Sequence, residues 1–371
     1  MSKIGILSMQ RIKNYGSFLQ AYGLKKLIEE YGHEVEFVDY HVEKPIIVDN
    51  SKNKNILTKG IEAICEDASF IQKIQYIKHK RNFGKKYYHL LNINDNFNYN
   101  PKLDTMVIGS DEVFNCIQSN SNVGYSLELF GKNNNARKLV SYAASFGNTT
   151  LDKLRKYNKE KEIASLLKDF DKISVRDMNS KKIVNELTYN DVCINLDPVL
   201  IFEFMNHKEL IPNINVKEKY MIVYAYSGRI SKQESKFIKA FALKNKLKVY
   251  AIGGAQRCAD KFIDCSPFEV LAYFKNAEFV ITDTFHGSIF SIINNKKFAT
   301  IIRKSHGESY GNEEKLKFLL EKLDLNTRII YSLNDIESIE NKFNSLIDYS
   351  KTNAIIDNER KKARRFLKEN L

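Results

Sequence analysis

The segment FVITDTFHGSIFS, which runs from Phe279 to Ser291, has the residue types and spacing best suited to chemistry. An apolar strand is predicted to end at Asp283 and a helix to begin near His286, which places the imidazole at a strand-to-helix turn. Free backbone N–H groups and the helix dipole favour an anionic ligand at such a turn. We therefore predict that His286 is catalytic and that its polar neighbours bind this ligand: Asp283, Thr284, Gly287 and Ser288. The alternative is an ordinary turn capped by Asp283 or Thr284.

Two further loops follow predicted strands and carry hydrogen-bonding side chains. They are VIGSDEVFN (Val107–Asn115) and RIKNYGSFLQ (Arg11–Gln20). Ligands of open α/β sheets bind beyond the carboxyl ends of the strands. We therefore predict that these loops bind a hydroxylated substrate through Asn14, Gly16, Ser110, Asp111 and Asn115. Helix capping is the alternative, with Ser110 as the cap of a helix that follows its strand.

Arg176 ends another predicted strand, in the segment ISVRD (Ile173–Asp177). A guanidinium can make a forked contact with a phosphate or a carboxylate. Such a cation is needed because a helix terminus alone contributes only ~0.3–1 kcal/mol to the binding free energy of an exposed anion. We predict that Arg176 is the second catalytic group. The alternative is a surface salt bridge with Asp177 or Glu162.

Several well-known catalytic patterns are absent from the chain. It has no GxSxG, HExxH, P-loop or GxGxxG segment, and its five cysteines are scattered without a CxxC pair. These patterns mark serine hydrolases, zinc proteases, nucleotide-binding loops and metal or disulfide frameworks. We therefore expect no metal site and no cofactor, and a metal-free group transfer fits the remaining polar groups better.

Strand-like and helix-like segments alternate along the chain, which predicts parallel sheets covered by helices. Strands are predicted near residues 3–9, 34–38, 105–108, 138–143, 172–175 and 192–194. The pattern starts again at residues 220–226, with further strands at 248–252, 279–282 and 298–302. The predicted fold class is therefore α/β, with two Rossmann-like domains facing a cleft. We predict an N-terminal domain (1–205), a C-terminal domain (206–335) and a helical segment (336–371) that packs back toward the N-terminal domain.

The formal net charge of +13 bears on partners rather than on the fold. It permits nucleic acid, an anionic membrane face or a phosphorylated substrate, although much of it is explained by a solvated, lysine-rich surface. No nucleic-acid-binding signature is present, so we expect no nucleic acid partner. No apolar run approaches the ~20 residues that span a bilayer, and the N-terminus does not resemble a signal peptide. We therefore expect a cytoplasmic protein.

The segment Phe70–Tyr88 combines apolar and basic side chains. Phe70, Ile71, Ile74 and Ile77 share one side of a predicted helix that is rich in lysine and arginine. The simpler interpretation is a helix packed on its own domain. The alternative is peripheral contact with an anionic membrane, at its inner face, or with a lipid-linked sugar diphosphate.

Taken together, these segments resemble the polysaccharide pyruvyl transferase family. The motifs NYGSFLQAYGLKK, VIGSDEVFN, SYAASFG, ISVRD, LDPVL and TDTFHGSIFS occur in that family's order and rough spacing, from about residue 3 to residue 325. The resemblance implies a glycosyltransferase-B type of fold. It also implies transfer of a pyruvyl group from phosphoenolpyruvate, as co-substrate, to a sugar of a cell-surface polysaccharide precursor, usually as a cyclic ketal.

By the same resemblance, His286 matches the family's active-site histidine, and Arg176 is a candidate for its donor-binding arginine. Some members have Arg-Leu before the histidine, whereas this chain has Thr284-Phe285, so either another cation replaces that charge or the donor differs. The C-terminal domain would bind the donor and the N-terminal domain a sugar or lipid-linked oligosaccharide acceptor. Two alternatives stay open: a sugar transferase that uses a nucleotide-sugar donor, and a binding protein that keeps the cleft without the chemistry.

Overall fold

The computed structural model describes residues 1–47, 68–190, 192–304 and 313–371. The N-terminal half forms a six-stranded sheet in the order β2-β1-β3-β4-β5-β6. Its strands are β1 (Lys3–Leu7), β2 (Glu34–Val38), β3 (Thr105–Asp111), β4 (Lys138–Ala144), β5 (Lys172–Val175) and β6 (Cys193–Ile194). All neighbouring strands pair in parallel.

The C-terminal half forms a second six-stranded sheet, in the order β12-β11-β10-β7-β8-β9. Its strands are β7 (Tyr220–Tyr224), β8 (Lys248–Ile252), β9 (Lys261–Phe262), β10 (Phe279–Thr282), β11 (Phe298–Ile301) and β12 (Ile329–Ile330). All its pairs are parallel too. The predicted division at residue 205 falls between the last strand of the first sheet and the first strand of the second.

Helices connect the strands and cover both sheets. In the first half they are α1 (Tyr15–Glu29), α2 (Phe70–Tyr87), α3 (Leu151–Lys156), α4 (Glu160–Leu167), α5 (Met178–Thr188) and α6 (Pro198–Ile201). In the second half they are α7 (Lys232–Lys244), α8 (Pro267–Asn276), α9 (Phe285–Ile293), α10 (Glu313–Lys322), α11 (Glu337–Asn344) and α12 (Tyr349–Asn370). Among the described parts of the chain, no helix is both long and apolar enough to cross a membrane.

Local sequence explains where the main elements begin and end. The strands β7 and β10 consist entirely of buried side chains, as expected for strands covered on both faces. Ser231 and Ser266 begin α7 and α8 with capping boxes, in which a serine and a glutamate three residues later satisfy each other's backbone N–H groups. Gly32, with φ of +80°, follows α1 and lets the chain turn into β2.

The strand orders determine where ligands can bind. The second sheet has the Rossmann order, since β7 lies at the centre and the chain moves to one edge through β8 and β9 and to the other through β10, β11 and β12. The direction reverses between β7 and β10, and in the first sheet between β1 and β3. A crevice opens at the carboxyl ends of the strands at such reversals. The predicted α/β class with two Rossmann-like domains is therefore confirmed.

Helix α2 joins the two halves, although it precedes β3 in the chain. Gln72 donates to the carbonyl of Ala259 at 2.9 Å, and His79 Nδ1 lies 2.6 Å from the carboxylate of Asp264. Phe83 of the same helix packs on Tyr15 and Phe18 of α1, so α2 contacts both halves. The simpler interpretation, a helix packed on its own domain, therefore accounts for only part of its contacts.

Helix α12, the last helix of the chain, packs on the first half. Its Arg360 donates to the carbonyl of Leu200 at 3.0 Å, and Tyr31 donates to the carbonyl of Arg364 at 2.9 Å. Arg364 also pairs with Glu30 at the end of α1. These contacts tie the last helix to α1 and α6.

Candidate active site

A cavity of about 1400 Å³ opens between the two halves at the carboxyl ends of both sheets. Its walls come from the loops after β1, β3, β5, β7 and β10, which include both points where the strand order reverses. Seven of the predicted site residues line it: Asn14, Asp111, Asn115, Arg176, Asp283, Thr284 and His286.

His286 is held in the cavity wall by the start of α9. Thr284 caps this helix, and its hydroxyl accepts the N–H of Gly287 at 2.9 Å. The imidazole retains 13% of its side-chain exposure and packs on Gly16 of α1, where an added Cβ would lie 2.2 Å from Nδ1. The ring therefore faces the N-terminal half across the crevice, and only a residue without a side chain fits opposite it.

Asp197 connects His286 to Arg176. This carboxylate is fully buried and accepts a hydrogen bond from Nη1 of Arg176 at 2.8 Å and from the N–H of Val199 at 3.0 Å. Nε2 of His286 lies 3.4 Å from the same Oδ2, close enough for charge attraction but outside hydrogen-bond geometry. Burial by itself would raise the pKa of Asp197, but His286 and Arg176 hold it below its usual range. The carboxylate therefore stabilises positive charge on both neighbours.

Arg176 extends from the end of β5 into this cluster and is only 3% exposed. Its guanidinium lies 4.2 Å above the ring of Phe285, and Nη2 is 3.4 Å from Asp111. The alternative of a surface salt bridge with Asp177 or Glu162 is wrong. Asp177 instead caps α5 by accepting the N–H of Ser180.

The first turn of α1 and the end of β3 form the opposite wall. Asn14 caps α1 by accepting the N–H of Ser17 at 2.7 Å, and the Ser17 hydroxyl donates to Asp111 at 2.8 Å. Asp111 has φ of 77°, a conformation uncommon outside glycine that tends to occur at functional sites. Asn115 also reaches the cavity, but it donates to Glu112 and accepts from Thr149, both at 2.9 Å.

The cavity walls carry an excess of positive charge. Eight lysine and arginine side chains line it against three carboxylates. Burial lowers the pKa of Lys80 to about 8, with Lys13 adding to the effect. Within the described residues, no group of three His, Cys, Asp or Glu side chains is placed to bind a metal ion. The guanidinium and ammonium groups of the wall can hold an anionic ligand.

Asp283 lies at the end of β10, on the donor side of the predicted site. Its side chain is fully buried, and burial raises its pKa to about 6. The nearest cation is Arg229, whose Nη1 is 3.8 Å from Oδ2 and whose guanidinium lies 4.7 Å from the centre of the Tyr226 ring. Arg229 follows β7 and lines the cavity. Besides Arg176, it adds a second guanidinium to the cavity wall, near the place between β7 and β10 where the strand order of the C-terminal sheet reverses.

Four predicted site residues lie behind the wall rather than in it. No helix follows β3, so Ser110 caps nothing, and its buried hydroxyl donates to the carbonyl of Ala143 at 3.1 Å. Ser288 is fully buried and its hydroxyl lies 2.9 Å from that of Thr300, while the N–H of Gly287 is taken by the helix cap. Gly16 contributes space rather than a polar contact. Hydrogen bonds within the protein occupy the hydroxyls of Ser110 and Ser288 and the N–H of Gly287, so these groups are not directed at a ligand.

Sequence reasoning missed three contributors. Asp197 lies in the motif LDPVL, directly after β6, and an aspartate before a proline at a strand end was its available signal. Arg229 follows the apolar strand β7, the position that favours ligand binding in such sheets. Lys315, which pairs with Glu112 at 2.6 Å, comes from α10 and had no local signal.

Comparison with known proteins agrees with this architecture. The sequence profile of the polysaccharide pyruvyl transferase family matches residues 14–305. No curated protein matches the chain in sequence.

Among solved structures, the UDP-GlcNAc 2-epimerase from Neisseria meningitidis bound to UDP-GlcNAc is 10% identical, with a TM-score of 0.50 over 100% of this chain and 99% of that one. The S. aureus MnaA-UDP co-structure is also 10% identical, with a TM-score of 0.48 over 96% of this chain and 90% of that one. At such low identity the likeness shows the fold alone. Because the family profile matches most of its length, the chain belongs to the polysaccharide pyruvyl transferase family.

Proposed function

We propose that this transferase moves the pyruvyl group of phosphoenolpyruvate onto two hydroxyls of a sugar in a cell-surface polysaccharide precursor. The observation that supports this most directly is the cluster at Asp197. It brings His286, from the C-terminal half, and Arg176, from the N-terminal half, to one carboxylate in the wall of a basic cavity. A group that handles protons and a group that binds anions are thus adjacent where the two halves meet.

The donor requires several positive charges because phosphoenolpyruvate carries a carboxylate and a phosphate. Arg176 is suited to this role, since its buried Nε has no hydrogen-bond partner among the described residues and buried donors are nearly always paired. Phe285 occupies the place of the aliphatic residue in the Arg-Leu pair of other members and supports the guanidinium of Arg176 from below. Some members have an arginine where this chain has Thr284. We assign the role of that arginine to Arg229, which follows β7 and lines the cavity.

The chemistry needs one proton at carbon and two hydroxyl attacks. Protonation of the methylene carbon makes C2 cationic. The first sugar hydroxyl forms a C–O bond there, and its proton passes to the group that gave its own proton to the methylene carbon. Phosphate leaves with the electrons of its C–O bond, and the second hydroxyl closes the ketal as its proton goes to phosphate. Protonated His286, stabilised by Asp197, is suited to supply the first proton, a role typically contributing ~10²–10⁴-fold in rate. Arg176 would balance the charge of the departing phosphate.

The acceptor would bind between the loops after β1 and β3. Asn14, Ser17 and Asp111 lie there and offer hydroxyl, amide and carboxylate groups to a sugar. The cavity of about 1400 Å³ exceeds the usual ~300–1,000 Å³ of small-molecule sites. It can therefore hold the donor together with more than one sugar unit of an acceptor.

The test is release of phosphate from phosphoenolpyruvate in the presence of candidate lipid-linked oligosaccharides. Mass spectrometry of the same reaction should find the acceptor heavier by one pyruvate ketal. We expect His286→Gln to keep the fold and lose ~10²–10⁴-fold in turnover. His89→Gln is the matched control, because His89 is exposed and lies outside the cavity.

Two results would contradict the proposal. Phosphate release by His286→Gln at the wild-type rate would remove His286 from the mechanism. Release of nucleotide from a sugar nucleotide, with no phosphate from phosphoenolpyruvate, would make the protein a sugar transferase instead.

A further inference from the structure

Helix α2 presents different side chains on opposite sides. Its buried stripe holds Gln72, His79, Phe83 and Tyr87, so the last three lie seven, eleven and fifteen residues after Gln72. This stripe is attached to the C-terminal half through Ala259, Asp264 and Cys265. The opposite side of α2 is therefore fixed in a defined orientation on the molecule.

That opposite side exposes four large apolar side chains. Phe70 is 59% exposed, Ile71 69%, Ile74 48% and Ile77 64%. Single exposed apolar residues are common on soluble proteins, but neighbouring ones that form a patch mark a contact surface. Here four lie within two turns of one helix, so they form such a patch.

Positive charge surrounds the patch. Helix α2 contains six lysine and arginine residues and no acidic residue. Lys78, Arg81 and Lys85 are exposed, and two of them lie one turn beyond Ile74 and Ile77 on the same side. Lys80 and Arg81 also line the cavity. The cations of α2 therefore extend from the apolar patch to the wall of the proposed active site.

We propose that this outer face of α2 docks the protein on an anionic lipid surface. A helix that carries apolar side chains beside lysine and arginine lies at such surfaces, with the apolar side chains among the acyl chains and the cations at the headgroups. A twofold contact between two copies would place Lys78, Arg81 and Lys85 of one copy against the same cations of the other, which disfavours self-association. Docking would bring the cavity mouth next to the headgroups, where a lipid-linked acceptor would be presented.

The experiment is co-sedimentation of the full chain with vesicles of phosphatidylcholine, with and without phosphatidylglycerol. The wild-type protein should sediment only with the anionic vesicles, and high salt should release it. Ile74→Gln with Ile77→Gln should weaken partition at least about 30-fold, because two apolar side chains no longer enter the bilayer. Lys78→Gln with Lys85→Gln should weaken it roughly 30-fold, as expected for two cations near an anionic surface.

The matched control is Leu243→Gln with Leu346→Gln, because these leucines are 73% and 90% exposed on other parts of the surface. It should bind vesicles like the wild type. Thermal unfolding of all variants should be unchanged, since none of the replaced side chains is buried.

Three outcomes would overturn the proposal: no sedimentation of the wild type with anionic vesicles, wild-type partition of both α2 variants, or equal weakening by the leucine control. A dimer in vesicle-free solution that Ile74→Gln with Ile77→Gln dissociates would assign the patch to a second copy instead. Vesicle binding needs neither donor nor acceptor, so this result is independent of the proposed reaction.

Discussion

Replacing Asp197 by Asn removes one negative charge from the point where Arg176 and His286 meet. The carboxylate accepts Arg176 on one oxygen and the N–H of Val199 on the other. An amide has a single oxygen, so its nitrogen must face one of these donors. A hydrogen bond to a charged group contributes about 1.5–3 kcal/mol, and removal of one partner of a buried ion pair costs about 3–5 kcal/mol. We therefore expect Asp197→Asn to lose about 3 kcal/mol of unfolding free energy at neutral pH.

The loss of unfolding free energy in Asp197→Asn should depend on pH. The folded-state pKa of Asp197 lies below its usual range, so its charge stabilises the fold above the unfolded-state pKa of about 3.9. That contribution is lost as the pH falls through the lower, folded-state pKa. The difference in unfolding free energy between wild type and variant should therefore be constant from about pH 5 to pH 8 and shrink below about pH 4.

Urea unfolding followed by circular dichroism measures the stability, and phosphate release measures turnover. Because Asp197 lies beside the imidazole and pairs with Arg176, turnover of Asp197→Asn should fall by ~10²–10⁴-fold. Asp169→Asn is the control, since Asp169 is exposed. A variant as stable and as active as the wild type would refute the role assigned to Asp197.

Two further predictions follow from the cavity wall. Gly16→Ala would place a Cβ 2.2 Å from Nδ1 of His286, so the imidazole must move and turnover should fall at least ~10²-fold. Gly23→Ala in the same helix would place its Cβ 3.2 Å from the carbonyl oxygen of Pro198, away from the imidazole, and should keep turnover near the wild-type value. Equal turnover of the two variants would contradict the contact between Gly16 and His286. Burial raises the folded-state pKa of Asp283 to about 6, so stability should fall as the pH rises from about 4 to 6. The free energy of unfolding of Asp283→Asn, measured with urea, should therefore exceed that of the wild type by on the order of 2–3 kcal/mol at pH 7.5 and equal it at pH 4. A variant that is no more stable at pH 7.5 would show that burial does not determine the pKa of this carboxyl.

Much of the fold is readable from local patterns. The strands Glu34–Val38, Lys172–Val175, Lys248–Ile252 and Phe279–Thr282 match their predicted bounds, because each is a short run rich in β-branched and aromatic residues. The two-residue strands β9 and β12 were missed. They lie at sheet edges, and only pairing with a neighbour makes them strands, which a local pattern does not encode.

The site is readable only in part. The position of His286 at the carboxyl end of a strand was predictable, because a buried strand, a capping threonine and a helix start are all local features. The neighbouring Ser110 and Asp111 differ because successive strand residues point to opposite faces, and β3 continues through both. Asp111 therefore faces the cavity while Ser110 bonds within the sheet. Asp197 was not predicted as a site residue. Its neighbours Arg176 and His286 belong to the end of β5 and to α9, and the distance between these elements depends on how the two halves pack.

The attachment of α2 has a consequence for synthesis. The contact between His79 and Asp264 spans 185 residues of chain. At ~5–20 residues per second, a ribosome needs roughly 10–40 s to supply the second partner after the first has been made. During that interval Phe83 can already pack on Tyr15 and Phe18 of α1, but Gln72, His79 and Tyr87 lack the hydrogen-bond partners that they have in the complete protein. We therefore expect α2 to reach its final position only after the residues around β9 have been made.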